Sequence, residues 1–325
     1  MNEMGFDSTS MVTLDVAVGK YAHTQALFDG ELNVAGLQLN PVNLPVSKIL
    51  SEALKGAPWP VSEMSMGRFV QATARQPTEF MALPIFVCRA FRHSAFYVAA
   101  SSRLVPSELK GCRIGIPGWA VTAVIYARAL MIHQWGIPMN EVEWVIGDLD
   151  RSGADPEIPE LPPGLRCSGA QGRSLSSLLL NGDIDVMIAP HAPHIDPAAF
   201  RYLVIDHVRQ DRAYWQAQRD FPVMHTIVLR RDIERQHPGT ARRVMEAFTA
   251  ARDRCLEKLR DPSDMSMPLP LLSSHIEQVM DLFGDDFWPY GLDNNRATLE
   301  MFLDYCYEQS VSNRRLKLDE VFGPV

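Results

Sequence analysis

The sequence predicts an α/β protein of two lobes, and three observations carry that expectation. The chain has 325 residues, too many for one simple core and right for two domains of about 100–200 residues each. Hydrophobic residues make up 46% and charged residues 22%, the usage of an ordinary globular chain rather than a disordered one. Short apolar or β-branched runs alternate with amphipathic segments from the N-terminus onward, the βαβα order of a parallel sheet.

Val12–Val18 is a β-branched run, and Tyr21–Phe28 reads as a short helix. Leu37–Leu44 alternates like a strand, and Ser47–Leu54 reads as a helix with Ser47 at its N-cap. Trp59–Met64 is a strand, and Ser65 caps a helix reaching about Arg75. Ile85–Ala100 is apolar and aromatic and reads as strands running toward an interlobe crossing. Cys112–Ile116 is a strand, Gly115–Gly118 a turn and Val121–Gln134 a helix, with a further strand at Val142–Ile146. Asp148–Gly172 is rich in Pro, Gly and charge, a surface excursion. Ser174–Asn181 is a helix stopped by Gly182, Ile184–Ala189 a buried strand, and Arg201–Ile205 leads back out. Val223–Leu229 is a strand. Pro238–Leu259 is a long amphipathic helix with Pro238 in its first turn, and two more helices lie near Leu271–Phe283 and Asn295–Gln309. Residues 1–100 and 210–325 are expected to form one lobe and 101–209 the other. A ligand belongs in the crevice at the strand C-termini.

Composition excludes several classes. The formal net charge is −8, and no basic run supplies the positive footprint that nucleic acid or an anionic membrane surface needs. No apolar stretch reaches the ~20 residues of a membrane helix. Met1–Met11 has neither a basic nor an apolar signal region, so a cytoplasmic protein is expected. The five cysteines are odd in number, widely spaced and without a C-x-x-C, which speaks against a disulfide framework or a cysteine metal site. His191, His194 and Asp196 lie close together, but Pro190 and Pro193 rule out helical ligand spacing, so no metal is expected and His191 reads as a cleft-facing loop residue. No Gly-x-Ser-x-Gly, PLP-lysine or thiamine signature appears, and no cofactor is expected.

The sharpest local anomaly is Phe80–Ser107. It holds Arg89, Arg92, Arg103 and His93 but no Asp or Glu. A guanidinium inside apolar sequence needs a partner. That partner is either a ligand carboxylate gripped by the planar fork or an acid from a distant segment. His225 stands mid-strand in an apolar run, as either a satisfied core residue or a cleft residue. The Gly115–Thr122 junction offers backbone N–H groups to an anion, or is an ordinary turn. Arg296, in the first turn of a helix, either pairs with Glu300 or contacts an anion.

Four blocks recur in a recognisable order. They are Pro84-Ile-Phe-Val-Cys-Arg-Ala-Phe-Arg-His-Ser94, Gly182-Asp-Ile-Asp-Val-Met-Ile-Ala189, Phe221-Pro-Val-Met-His-Thr-Ile-Val-Leu-Arg-Arg-Asp232 and Trp288-Pro-Tyr-Gly-Leu-Asp-Asn-Asn-Arg-Ala-Thr-Leu-Glu300, with the tail Asn313–Phe322 behind them. Together they resemble the 4,5-dihydroxyphthalate decarboxylases, from the first strand to the tail. The resemblance implies a type II periplasmic-binding-protein-like fold with an interlobe cleft. It also implies conversion of 4,5-dihydroxyphthalate to 3,4-dihydroxybenzoate and carbon dioxide, with a small aromatic dicarboxylate as the partner. A homo-oligomer is left open. Where the family pattern often carries Arg, this chain has His191.

Decarboxylation of an arene needs somewhere for the electrons to go. A hydroxyl para to the leaving carboxylate serves if a base takes its proton while an acid protonates the ring carbon. The dienone then expels carbon dioxide. His93 and His225 are the expected acid and base, in undetermined order, because an ordinary His pKa lies near working pH. Arg89 and Arg92 are expected to hold the carboxylates. Glu63, Ser65, Arg68, Trp119, Thr122, His191 and Arg296 are further cleft candidates. A second reading is a solute-binding protein or sensor for a small aromatic carboxylate.

Overall fold

The computed structural model describes residues 11–32, 34–53, 55–56, 58–153 and 158–324. The N-terminal stretch before residue 11, on which the localisation expectation rests, lies outside them, as does Leu54. The strands are β1 (Val12–Ala17), β2 (Leu37–Pro41), β3 (Val61–Ser65), β4 (Phe80–Arg89), β5 (Phe96–Ala99), β6 (Arg113–Ile116), β7 (Glu143–Ile146), β8 (Arg166–Gly169), β9 (Val186–Ile188), β10 (Phe200–Tyr202) and β11 (Val223–Arg230). The helices are α1 (Val46–Glu52), α2 (Met66–Arg75), α3 (Thr122–Ala129), α4 (Leu175–Leu180), α5 (His207–Gln218), α6 (Arg231–Gln236), α7 (Thr240–Arg260), α8 (Leu272–Phe283), α9 (Arg296–Glu308) and α10 (Leu318–Val321).

Two separate sheets result. The first has the order β2-β1-β3-β11-β4 and the second β10-β5-β9-β6-β7-β8. In the first, β1 runs parallel to β2 and β3, while β11 inserts antiparallel between β3 and β4. In the second, β9, β6, β7 and β8 are parallel, and β5 alone runs the other way, pairing antiparallel with both β9 and β10. Because β5 already belongs to the second sheet, the first passage lies between Arg89 and Phe96, ahead of the boundary drawn at residue 100. The chain returns between Tyr202 and Val223. One apolar core runs from Leu14, Phe69, Phe86 and Val228 of the first half through to Ile114, Trp144 and Val186 of the second. A smaller cluster, including Tyr97, Val145, Leu178 and Met187, covers the other face of the second sheet under α4.

Some local expectations change. The cap of α1 is Pro45, not Ser47. The long helix expected from Pro238 is α7, which begins at Thr240 behind Gly239 at φ +83°, so Pro238 stands before the helix rather than in its first turn; the short α6 ends ahead of it, as proline disfavours a helical residue before it. The excursion at 148–172 contains the edge strand β8. The expected 121–134 helix ends in a π-turn at Leu130–Gln134. Among the described residues no helix is long and apolar enough to cross a membrane.

The halves meet closely where α2 and α3 begin. Ser65 occupies the N-cap position of α2 without capping it. Its hydroxyl instead lies 2.9 Å from the Thr122 hydroxyl, which also accepts the Gly67 N–H at 3.0 Å. A Cβ on Gly67 would collide with the Ala120 carbonyl oxygen and stand 2.6 Å from Ile125 Cδ1. Gly67→Ala is therefore expected to lower unfolding stability by about 1–3 kcal/mol, the usual range for overpacking. Urea titration reads this directly, and an unchanged midpoint would mean the contact yields freely.

Candidate active site

Glu63 organises the ends of the strands. It sits mid-strand in β3, fully buried at 0% exposure. An ionised carboxylate there needs donors, and three reach it. The Gly19 N–H donates to Oε2 at 2.8 Å, the Tyr21 hydroxyl to Oε1 at 2.7 Å, and His225 Nδ1 lies 2.6 Å from Oε1. Gly19 and Tyr21 come from the turn after β1, and His225 comes from β11, whose register sets it opposite Ser65 and Cys88. Burial alone would raise the Glu63 pKa, but the bonds from His225, Tyr21 and Gly19 bring it below the ordinary value of 4.5.

His225 responds in the complementary way. Burial works against its charge, yet hydrogen bonds to Cys88 and Glu63 and the charge of Glu63 raise its pKa from 6.5 to about 9. At neutral pH the pair is an imidazolium on a carboxylate, and the His225 side chain is 17% exposed. The Tyr21 phenol is pushed well above its ordinary value by burial and the neighbouring Glu63 charge. His23 stacks on Tyr21 with ring centroids 5.4 Å apart. Its pKa falls to about 4, chiefly through burial, so it is neutral.

Arg92 is the second element. It is half-buried, donating from Nε to Met224 Sδ at 3.1 Å and from Nη1 to the Pro190 carbonyl at 3.1 Å. Met224 precedes His225 in β11, and the Cys88 side chain acts on both Arg92 and His225, while the bond to Pro190 carries this cation to the segment just after β9. Among the described residues no carboxylate lies within 4.0 Å of its guanidinium. Burial lowers its pKa, with Cys88 and Tyr97 acting in the other direction.

The remaining expected residues divide. Ser65 and Thr122 meet at the interlobe contact described above. Arg89 is only 7% exposed, but its fork is committed to the protein. Nη1 donates to the Phe221 carbonyl at 2.8 Å, and Nη2 donates to the Pro289 carbonyl at 2.9 Å and to Asn295 Oδ1. His93 is buried with both ring nitrogens engaged, by Asp211 at 2.7 Å and Gln134 at 2.8 Å, and no hydrogen bond joins it to His225. That is the geometry of a strut between β4, the π-turn and α5. Trp119 belongs to the core: its indole N–H donates to the Gln309 carbonyl at 2.8 Å, and the Arg128 guanidinium lies 4.0 Å from its ring centre. Arg68 is exposed on α2. His191 is exposed and bonds the neighbouring Ala192 carbonyl at 2.9 Å. Arg296 is exposed and pairs with Asp293 at 3.5 Å and Glu300 at 3.6 Å. None of these three joins the Glu63 network. Among the described residues no three His, Cys, Asp or Glu side chains converge as metal ligands. Gly19, Tyr21, His23 and Cys88 carried no sequence signal, since a Tyr or Gly in a turn looks the same whether or not it faces a distant carboxylate.

Comparison with known proteins bears on this geometry. A 4,5-dihydroxyphthalate decarboxylase of Comamonas testosteroni is 30% identical over 321 residues, covering 97% of this chain and 97% of that protein. One of Pseudomonas putida is 30% identical over 185 residues, 56% of this chain and 72% of that protein. No family model matches. Among solved structures, the periplasmic aliphatic sulphonate binding protein SsuA of Escherichia coli superposes with a TM-score of 0.53 at 13% identity, covering 96% of this chain and 92% of that one. A mutant of DSZB in complex with biphenyl-2-sulfinic acid gives 0.52 at 18% identity, with 96% of each chain covered. At such identities the likeness is one of fold.

The Glu63–His225 pair ties stability to pH. The folded pKa of His225 lies above its unfolded value, so its contribution is complete below about pH 6.5 and is lost as pH rises through about 9. Glu63 is shifted downward, so its contribution is present above about 4.5 and is lost as pH falls through its lower, folded pKa. Urea unfolding is expected to show stability falling between pH 7 and pH 9, and Glu63→Gln should flatten that fall. The same slope in the variant would mean that the pair does not hold the His225 proton.

Proposed function

Because the chain belongs to the 4,5-dihydroxyphthalate decarboxylase family, we propose that it removes one carboxylate from a dihydroxylated aromatic dicarboxylate in the cytoplasm. The substrate is 4,5-dihydroxyphthalate and the products are 3,4-dihydroxybenzoate and carbon dioxide. The observation that carries the reading is a held proton and an unneutralised cation that share Cys88 as a neighbour: His225 charged on Glu63, and Arg92 without a carboxylate partner among the described residues.

In this scheme Arg92 grips a substrate carboxylate with the part of its fork that the protein leaves free. The Ser65 and Thr122 hydroxyls mark the neighbouring interlobe contact. The two cations favour binding of the substrate as its phenolate, so the phenol proton leaves to solvent. The His225 imidazolium then gives its proton to the ring carbon that bears the leaving carboxylate. The carbon–carbon bond breaks, carbon dioxide departs, and the bonding electrons return to the ring, which regains aromaticity as the product phenolate. Product and His225 each recover a proton from solvent. Glu63 holds the imidazole in the donating tautomer and charge state throughout, a positioning role. His93, paired on both nitrogens, takes no proton in this scheme, and Arg89 takes no carboxylate.

A solute-binding protein or sensor remains the second reading, favoured by the superposition on SsuA. Carbon dioxide release over a panel of benzene dicarboxylates separates the two. Turnover of the 4,5-dihydroxy compound is expected, and tight binding of it without release would favour the binding protein. His225→Asn should lower kcat by about 100-fold with KM little changed. Arg92→Lys, which keeps charge but loses the planar fork, should lower kcat/KM by about 10-fold, mainly through KM. Wild-type turnover in both variants would sink the assignment.

A further inference from the structure

A cavity of 590 Å³, within the roughly 300–1,000 Å³ of small-molecule sites, is lined by Ala22 and His23 after β1 and by Arg89 at the end of β4. None of Glu63, His225, Arg92, Ser65 or Thr122 lines it. Phe91 and Phe221 stack at 4.9 Å on its wall, Trp288 meets Phe221 edge-on at 5.5 Å, and Phe283 closes on Phe221 at 5.6 Å. Val279 of α8 also lines it. This is a box for a flat apolar body.

Its charge is not balanced. Arg89 and Arg212 line the cavity against one acid, Asp211, which already pairs with His93. Arg89 is more than nine-tenths buried, and its Nε–H has no acceptor. Asp220 and Asp286 act on it only from beyond ion-pair distance. His23 also lines the cavity, with a buried Nε2 that has no partner. A buried guanidinium without a counter-ion is costly, and an anion beside it removes that cost.

We propose that this cavity is a second small-molecule site, separate from the Glu63–His225 pair, and that it takes an aryl monocarboxylate. The ring system lies against Phe91, Phe221 and Trp288, and the carboxylate accepts the Arg89 Nε–H. A single free donor suits one carboxylate rather than two.

Calorimetric titration of the full-length chain with 2-naphthoate, beside neutral 2-naphthamide, tests this. The acid should bind at least 10-fold tighter than the amide. Filling the cavity by Val279→Trp should weaken the acid at least 10-fold, and Arg92→Lys should leave its affinity within twofold. Crystals of the wild type soaked in the acid should place its carboxylate on Arg89 Nε; this and the acid–amide comparison decide the matter if Val279→Trp does not fold. Equal affinity for acid and amide, no binding at millimolar acid, or binding weakened by Arg92→Lys and untouched by Val279→Trp would each overturn the proposal. The last result would place the acid in the cleft instead and leave the decarboxylase reading standing.

Discussion

A single buried charge organises the site. Glu63 has no exposure at all, and a lone carboxylate in such a place would lose its proton only at a large cost. Three donors from two distant segments remove that cost: Gly19 and Tyr21 after β1, and His225 on β11. For them to converge, β11 must run antiparallel beside β3, and the turn after β1 must fold back over the strand ends. Cys88 and the charge of Glu63 in turn hold a proton on His225 well into the alkaline range. The sheet order and the chemistry are thus one constraint seen twice: without β11 between β3 and β4 there is no imidazolium, and without the imidazolium the carboxylate is an unpaired buried charge.

Arg89 and Arg92 show how neighbours in one motif take different roles. Arg89 donates to Phe221, Pro289 and Asn295, so it fastens the end of β4 to the start of β11 and to the segment before α9. These three places fall within three of the sequence blocks that carry the resemblance. Arg92, three residues on, leaves the strand and contacts both halves through Met224 and Pro190. It keeps a free part of its fork at their junction, where a ligand carboxylate can complete both halves at once.

Much of this was legible in the chain before folding. Strands β1, β3, β6, β9 and β11 follow from apolar runs, and the cap at Ser174 does what a serine there should, accepting the Ser177 N–H. Helix α5 was not legible because it buries no residue fully and so shows no apolar stripe. Strand β8 was hidden in a Pro- and Gly-rich stretch because an edge strand needs little apolar sequence. Within the site, the deficit of acids around Arg89 and Arg92 was visible, but not which of the two would be claimed by carbonyls 132 and 200 residues away. His93 and His225 looked alike for the same reason. Glu63 carries a signal of its own: it lies inside a strand whose other residues are buried, and a carboxylate in that position demands donors.

In the proposed reaction the proton donated to the substrate is the one Glu63 keeps on His225. The pH dependence of kcat/KM reports the ionisations of the free enzyme and so tests this most directly. An alkaline limb near pH 9 is expected in the wild type, displaced toward acid by more than one unit in Glu63→Gln. An alkaline limb at the same pH in both proteins, or a profile flat from pH 7 to about 10 in the wild type, would contradict it.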